Sequence, residues 1–219
     1  MALLTTTSKA HNADNEIAEL QIQMQDLEQR NRLLEAEVAR LQVYRDYAYT
    51  DVLTEVPNRR FYHERFTQEI ARSRRGHHAL TLAIVDLDFF KDINERTGHR
   101  GGDQVLKFFA QYLRANLRQE DVLCRIGGDE FAIILPDTSV ENASILLDRV
   151  RNKLDRIELS VDGRSRLSLA FSCGLAEFKD DYVVEDLIEE ADHSLFTAKA
   201  RGRNRVVAAS AGAAAMSVN

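Results

Sequence analysis

The sequence predicts an α+β or α/β domain, in which helices cover one central mixed sheet, preceded by a long N-terminal coiled-coil helix. Three observations lead to this expectation. Leucines recur at every seventh position in an N-terminal segment that has no Gly or Pro. Further along, apolar runs of strand length alternate with amphipathic runs of helical length. A Gly-Gly turn separates two of the strand-length runs, which is typical of a β-hairpin.

The composition favours an ordinary soluble protein. The 219 residues carry a net charge of -6, which excludes a general basic surface for nucleic acid. The start lacks a leader-like pattern, and no run of about 20 apolar residues is present, so we expect a cytoplasmic protein without a membrane partner. Cys124 and Cys173 lie in apolar runs, which predicts buried free thiols.

The N-terminal heptads predict a parallel dimeric coiled coil over residues 15–48, after a flexible segment at residues 1–14. The d positions are Leu20, Leu27, Leu34 and Leu41, and the a positions are Ile17, Met24, Asn31 and Val38. A buried Asn at one a position favours a parallel two-stranded register, and Arg30 and Glu35 at g and e would attract across the strands. The alternative is a single amphipathic helix that folds back on its own domain.

The domain itself is predicted over residues 49–208, followed by a disordered tail at residues 209–219. Hydrophobic periodicity and turn residues predict its elements in order. They are a turn at Pro57, a helix over Arg59–Arg75, a strand over Ala79–Asp86, a short helix over Phe89–Arg96 that closes at Gly98, a helix over Asp103–Leu117, strands over Val122–Ile126 and Phe131–Leu135, a helix over Ser139–Arg156, a strand-rich run over Leu167–Phe178, a helix over Val184–Ala198 that stops at Gly202, and an edge strand at Val206–Val207.

Acidic residues follow two of these strands. Asp86 ends one strand, and Asp129 and Glu130 lie at the hairpin turn. If the strands are neighbours, the carboxylates converge at one edge of the sheet, where Mg²⁺ and phosphate oxygens could share them. Gly127 and Gly128 would allow a turn with positive φ and a close approach of a nucleotide to the backbone.

Each feature also has a simpler interpretation. Acids at strand ends are usually solvated, Gly-Gly-Asp is most often only a turn, and Lys199 and Arg203 near a helix end could merely complement the helix dipole. The histidines show no metal-ligand spacing, and no Walker loop is present. Composition and spacing alone therefore lead no further than a Mg²⁺-nucleotide site.

Four blocks in register make the sequence resemble the GGDEF family of diguanylate cyclases over about Asp51–Val207. The signature is Arg125-Ile126-Gly127-Gly128-Asp129-Glu130-Phe131. The other blocks are Asp51 to Thr54 with Asn58-Arg59-Arg60, Asp86 to Asn94 with Gly98-His99 and Gly102-Asp103, and Ala198-Lys199 with Gly202 to Arg205. One departure is Phe196, which stands where the family often has Tyr.

The resemblance implies a palm-like, mostly antiparallel sheet and a role for each matching residue. Asp86, Asp129 and the Leu87 carbonyl would hold Mg²⁺, with Mn²⁺ as an alternative ion, and Asp129 or Glu130 would help activate a 3′-hydroxyl. Asn94 and Asp103 would recognise guanine, and a buried carboxylate there would reject adenine. The phosphates would be bound by Lys91, Lys199, Arg203 and the backbone of Phe89 and Phe90. Gly127 and Gly128 would belong to the substrate site without contacting a particular group.

The reaction implied by the resemblance joins two GTP into cyclic di-GMP with release of two pyrophosphates. One domain binds one GTP, so two domains must face each other about a two-fold axis, and the coil would hold them together. An upstream sensor protein would be a further partner. The alternatives are a silent GGDEF domain that serves as a receptor for cyclic di-GMP or GTP, and a coiled-coil signalling adaptor.

The resemblance also implies an inhibitory product site. Arg118 and Asp121 have the spacing of the family's RxxD motif before the signature, and Arg149 matches a secondary arginine. Product bound there would inhibit allosterically. The alternative is a surface Arg-Asp pair worth less than about 1 kcal/mol.

Overall fold

The structure, a computed structural model, describes residues 2–161 and 165–209, with the side chains of residues 2–19, 22, 43, 46 and 165 outside that description. The first helix, α1, spans Ala2–Tyr49, and the contacts divide the chain into one unit that ends at Ala48 and a second that begins at Tyr49. The helix starts earlier than the predicted Asn15, because no Gly or Pro interrupts it from Ala2 onward.

The apolar stripe of α1 is uncovered in the single chain. Its d-position leucines, Leu20, Leu27, Leu34 and Leu41, expose 55% to 63% of their surface. Asn31 is exposed on the same helix. Within the single chain, Arg30 pairs with Asp26 of the same helix at 2.9 Å. The attraction between Arg30 and Glu35 of two different helices stays a prediction. Ile17 lies outside the described side chains.

The second unit contains the other helices and strands. Its helices are α2 (Arg59–Gly76), α3 (Phe90–Asn116), α4 (Val140–Leu154) and α5 (Val184–Ala200). Its strands are β1 (Leu80–Leu87), β2 (Val122–Arg125), β3 (Glu130–Pro136), β4 (Glu158–Val161), β5 (Ser165–Ser168), β6 (Phe171–Glu177) and β7 (Val206–Ala208). No helix among the described residues is long and apolar enough to cross a membrane.

Within the described residues, five strands form the main sheet in the order β2-β3-β1-β6-β7. All neighbours are antiparallel except β6 and β7, which are parallel. This confirms the predicted α+β class with a mostly antiparallel sheet. Ala209, assigned to the disordered tail by the sequence, instead donates its N–H to the Leu175 carbonyl at 2.8 Å beside this edge.

The central strand β1 is buried along its whole length, because helices cover both faces of the sheet. Its alternate residues Ala83, Val85 and Leu87 join a core with α3 and α4. Leu82 and Ile84 join a second core with α2 and α5. Asp86 continues the second series, so its side chain points toward the α5 side.

Two differences from the predicted elements have clear causes. The predicted break at Gly98 is present as a kink with φ 71°, but the second part of α3 resumes directly after it instead of at Asp103. The β4–β5 hairpin is missing from the prediction, because each of its strands has only four residues and the alternation of Leu159 and Val161 in β4 is too short to stand out. Ser139 caps α4 as predicted, accepting from the Asn142 N–H at 3.4 Å.

The two cysteines are free and buried, as predicted. Cys124 lies in β2 and Cys173 in β6, both with no exposed surface. Burial raises the pKa of the Cys124 thiol to about 12 and raises the pKa of Cys173 further.

Candidate active site

The acids of β1 and of the β2–β3 turn meet at one edge of the sheet. Asp86 is the register partner of Glu130, and the Leu87 N–H donates to the Asp129 carbonyl at 3.2 Å. The predicted convergence of these acids is therefore present in the backbone pairing. It follows from β1 and β3 being antiparallel neighbours, so that β1 ends where β3 begins.

A lysine of α5 lies against the buried acid. Lys199 Nζ is 2.8 Å from Asp86 Oδ2, and Asp86 is 7% exposed. Burial raises the pKa of Asp86 above its usual value, the Lys199 ammonium opposes this rise, and the nearby Asp129 and Glu130 carboxylates add to it. The site thus concentrates negative charge that attracts a cation, and Lys199 contacts the acid that the resemblance assigns to the metal.

The turn between β2 and β3 differs from its predicted backbone conformation. Among the described glycines, those with positive φ are Gly98 and Gly202, so Gly127 and Gly128 do not use the left-handed conformation expected of them. The turn instead closes through the Glu130 carbonyl, which accepts from the Ile126 and Gly127 N–H groups at 3.0 and 3.3 Å. A Cβ on Gly127 would lie 2.6 Å from Glu130 Oε2, whereas one on Gly128 would meet nothing within 4 Å.

An arginine holds this turn from outside. Arg125 donates through Nη2 and Nε to the Gly128 carbonyl at 2.7 and 3.2 Å, and its Nη1 lies 2.9 Å from Asp51 Oδ1. Asp51 also accepts from the Thr54 N–H and hydroxyl. Partial burial raises the pKa of Asp51, but the bonds from Thr54 and Arg125 outweigh it and hold that pKa below its usual value. The sequence contains both residues in the matching blocks but does not reveal that they connect.

The start of α3 lies beside the acids. Phe89 precedes the helix with φ 58°, exposes 58% of its surface and has the Arg203 guanidinium 4.9 Å from its ring centre. The first N–H groups of a helix favour anions. Lys91 is exposed and 3.9 Å from Glu95. The predicted phosphate-binding side chains Lys199 and Arg203 therefore flank this helix start, while Lys91 points into solvent.

The two predicted guanine-binding residues differ in exposure. Asn94 is half-buried, and its Oδ1 would lie 1.9 Å from a Cβ on Gly102, so the amide rests on the glycine next to Asp103. Asp103 is exposed, which corrects the expectation of a buried carboxylate. It lies on an outward-facing position of α3.

The RxxD residues line a pocket at the loop between α3 and β2. Its volume is about 340 Å³, and its lining consists of Arg114, Leu117, Arg118, Gln119, Asp121 and Leu123. The Arg118 N–H donates to Asp121 Oδ2 at 2.8 Å. Burial raises the pKa of Asp121, and Arg118 opposes the rise. Arg149 is exposed on α4 and is not part of this lining.

Residues 48–205 match the family described as diguanylate cyclase, GGDEF domain. The chain belongs to the GGDEF family. It is 42% identical over 166 residues to the diguanylate cyclase DgcP of Pseudomonas aeruginosa, covering 76% of this chain and 25% of DgcP. It is 39% identical over 156 residues to the diguanylate cyclase DosC of Escherichia coli, covering 71% of this chain and 34% of DosC. The chain thus spans about a quarter to a third of the length of these curated relatives.

Solved GGDEF structures share the fold. The crystal structure of the coiled coil and GGDEF domain of DgcB from Caulobacter crescentus, in complex with c-di-GMP, superposes with a TM-score of 0.75 at 31% identity. That match covers 84% of this chain and 99% of the DgcB chain. The diguanylate cyclase SiaD of Pseudomonas aeruginosa, in complex with its activator SiaC, matches with a TM-score of 0.70 at 30% identity over 95% of this chain and 82% of SiaD.

Proposed function

We propose that this GGDEF domain is an active diguanylate cyclase, which joins two GTP into cyclic di-GMP and releases two pyrophosphates. The observation that carries the proposal is the pairing of Asp86 with Glu130 beside Asp129, in a chain whose relatives are named diguanylate cyclases. The acids, the lysine and the arginine of the matching blocks are all present, which favours an enzyme over a silent receptor or an adaptor.

The oxygen donors of the site fit Mg²⁺. Mg²⁺ is commonly bound by one or two carboxylates together with substrate phosphates, so it does not require a cluster of three protein ligands. No group of three His, Cys, Asp or Glu placed to hold a metal ion is present among the described residues. Asp86, Asp129 and the Leu87 carbonyl would hold it, and Mn²⁺ would use the same donors. When bound, the ion would neutralise charge on the phosphates and favour ionisation of the attacking hydroxyl.

The chain's own residues would orient the nucleotide. Asp103 can accept from the N1–H and amino group of guanine, and the Asn94 amide can both donate and accept. Lys199 would leave Asp86 for a phosphate oxygen, and Arg203 and the N–H groups of Phe89 and Phe90 would bind the remaining phosphates. The open backbone at Gly128 leaves room for the nucleotide beside the turn.

The acids would also accept a proton. Attack by the 3′-hydroxyl of one GTP on the α-phosphate of the other requires a base near the hydroxyl, and Asp129 or Glu130 is the candidate. One domain offers one such site, so two domains must face each other. The uncovered heptad stripe of α1, with Asn31 at an a position, supports a parallel dimer that supplies the second domain. An upstream sensor protein would act on this dimer.

The test is direct. Purified protein is incubated with GTP and Mg²⁺, and cyclic di-GMP is measured by chromatography. Asp129→Ala should lower the rate of cyclic di-GMP formation by more than about 100-fold. Residues that only hydrogen-bond to metal ligands already cost up to about 100-fold when they are replaced, and loss of a ligand should cost more. Asp180→Ala is the matched control, because Asp180 is an exposed acid whose ion pair within the described residues is with His77, at 3.4 Å. If wild-type protein forms no cyclic di-GMP after bound product has been removed, the proposed cyclase activity is refuted.

The pocket at Arg118 and Asp121 supports feedback inhibition by the product. Arg118 can bind a phosphate or the Hoogsteen edge of guanine, and Asp121 can accept from the guanine amino group. Arg149 would contribute from α4 of a facing domain or after a shift of its side chain. Arg118→Ala should raise activity at high product concentration, and an inhibition curve that matches wild type would remove this part of the proposal.

A further inference from the structure

Asp88 is a buried carboxylate with both oxygens occupied. It is 4% exposed, although it lies at the end of β1 next to the exposed Phe89. Its Oδ1 accepts from the Ser172 hydroxyl at 2.8 Å, and its Oδ2 accepts from the Asn204 N–H at 2.9 Å. Its own N–H donates to the Ala170 carbonyl at 2.9 Å. The residue is thus fixed to the start of β6 and connects it to the loop between α5 and β7.

That loop has an unfavourable backbone. Arg203 and Asn204 have φ values of 59° and 43°, in the left-handed region that residues other than Gly enter only at a cost. The loop keeps this shape because its surroundings hold it. Asp88 binds the Asn204 N–H, and Arg151 Nη1 binds Asn204 Oδ1 at 3.2 Å. Of these two bonds, the one that Asp88 accepts involves the backbone of the loop, and the charge of the carboxylate strengthens it.

The same loop carries side chains of the proposed phosphate site. The Arg203 guanidinium lies over the Phe89 ring, and Phe89 directly follows Asp88. Lys199 lies one turn earlier, in the last turn of α5, against Asp86. Asp88 therefore joins the two walls of the site, the β1–α3 loop on one side and the α5–β7 loop on the other.

We propose that Asp88 is a positioning residue for the triphosphate: by holding the Asn204 N–H it fixes Arg203 opposite the N-terminus of α3. This inference rests on the proposed function, because it assigns the loop to phosphate binding. Asp88 need not touch the nucleotide. Loss of its carboxylate should let the loop relax, move Arg203 away from Phe89 and weaken contacts to phosphates while leaving guanine recognition by Asn94 and Asp103 intact.

Three variants separate this role from general packing. Asp88→Ala removes both acceptors. Asp88→Asn is the conservative rescue, because its amide oxygen can still accept from the Asn204 N–H while its NH₂ donates to the Ser172 hydroxyl, which can rotate. Ser172→Ala is the matched control, since it removes a bond of the same buried carboxylate but leaves the one to the loop.

Two kinetic constants provide the readout. For Asp88→Ala we expect the KM for GTP to rise roughly tenfold, the effect of losing a charge-assisted hydrogen bond, with a smaller change in kcat. The inhibition constant of guanosine, which has no phosphates, should stay at the wild-type value. Asp88→Asn and Ser172→Ala should remain near wild type for both. Equal losses for GTP and guanosine, or equal effects of Asp88→Ala and Ser172→Ala, would overturn the proposal.

Trypsin gives a readout that does not depend on catalysis. Native cleavage after Arg201 or Arg203 should be faster in Asp88→Ala than in wild type or Asp88→Asn, because a loop without its anchor opens more often. Unchanged cleavage would overturn the proposal that Asp88 anchors the loop, even if the protein makes no cyclic di-GMP. Failure of this proposal and failure of the proposed cyclase function are therefore distinguishable. If Asp88→Ala is unfolded in circular dichroism, Asp88→Ser is measured in the same way. Unfolding of both would mean that Asp88 serves folding, which also overturns the proposal.

Discussion

Gly174 in the middle of β6 is the position where one methyl group should do the most damage. A Cβ there would lie 2.1 Å from the Ala191 carbonyl oxygen and 2.2 Å from the Leu195 nitrogen, both in the backbone of α5. Gly174 pairs with Ile84 on one side and Val207 on the other, so the strand cannot withdraw without breaking ladder bonds. Because the atoms that the new methyl group would meet belong to the backbone of α5, no side chain can rotate to make room. Gly174→Ala must therefore push α5 away from the sheet.

The size of the effect follows from the geometry. Forcing extra atoms into a packed core typically costs about 1–3 kcal/mol. Here both contacts are far shorter than an ordinary van der Waals distance and neither atom can rotate away. We therefore expect about 3 kcal/mol or more, a large part of the roughly 5–15 kcal/mol that stabilises a domain. For a domain of this size that corresponds to a fall in Tm of roughly 6–12 °C.

Urea unfolding followed by circular dichroism measures the change. Gly128→Ala is the matched control for stability, because its Cβ meets nothing within 4 Å and the residue has no positive φ. It should shift the unfolding free energy by less than about 0.5 kcal/mol. A midpoint for Gly174→Ala that coincides with that of Gly128→Ala would refute the close helix–strand contact, and with it the placement of Lys199 by α5.

Three further predictions concern charges and the coil. Lys199→Met removes the cation that lowers the pKa of buried Asp86, so that pKa rises further. The folded variant then keeps a proton at pH values where folded wild type has lost it, so its free energy of unfolding should fall further below that of wild type as the pH rises through this range in urea titrations, whereas a pH-independent gap would contradict the pairing. Asp51→Ala and Arg125→Ala should be non-additive by about 0.5–3 kcal/mol in a double-mutant cycle, and strict additivity would show that their 2.9 Å contact contributes nothing. Asn31→Val should broaden the oligomer distribution in light scattering, and an unaltered dimer would argue against a buried Asn pair.

The sequence is sufficient for most of the fold, because its elements have strong periodicity. The apolar run that becomes β1, the hairpin around Gly127-Gly128 and the amphipathic α5 are each recovered within a few residues. The β4–β5 hairpin is missed, since each strand has only four residues and gives too short a pattern to stand out. The early start of α1 is missed because the polar run from Thr5 to Lys9 interrupts the heptad pattern.

The candidate site is predicted in its residue types but not in its connections. Strand-end acids and a turn predict the meeting of Asp86 with Glu130, because antiparallel neighbours bring those ends together. The positive φ expected of Gly127 and Gly128 is wrong, since double acceptance by the Glu130 carbonyl closes the turn without it. Bonds such as that from the Asn204 N–H to Asp88 join residues far apart in sequence and leave no local pattern.

The deep burial of both cysteines has a practical consequence. A thiol whose pKa is raised by burial carries almost no thiolate at neutral pH, and thiolate is the form that reacts with maleimides and oxidants. Native Cys124 and Cys173 should therefore stay silent in the folded protein. A single cysteine placed on the surface, for example at Arg201, would be the one reactive thiol within the described residues. Fluorophores or spin labels attached there would report the motion of the neighbouring loop, and the native cysteines would not have to be replaced first.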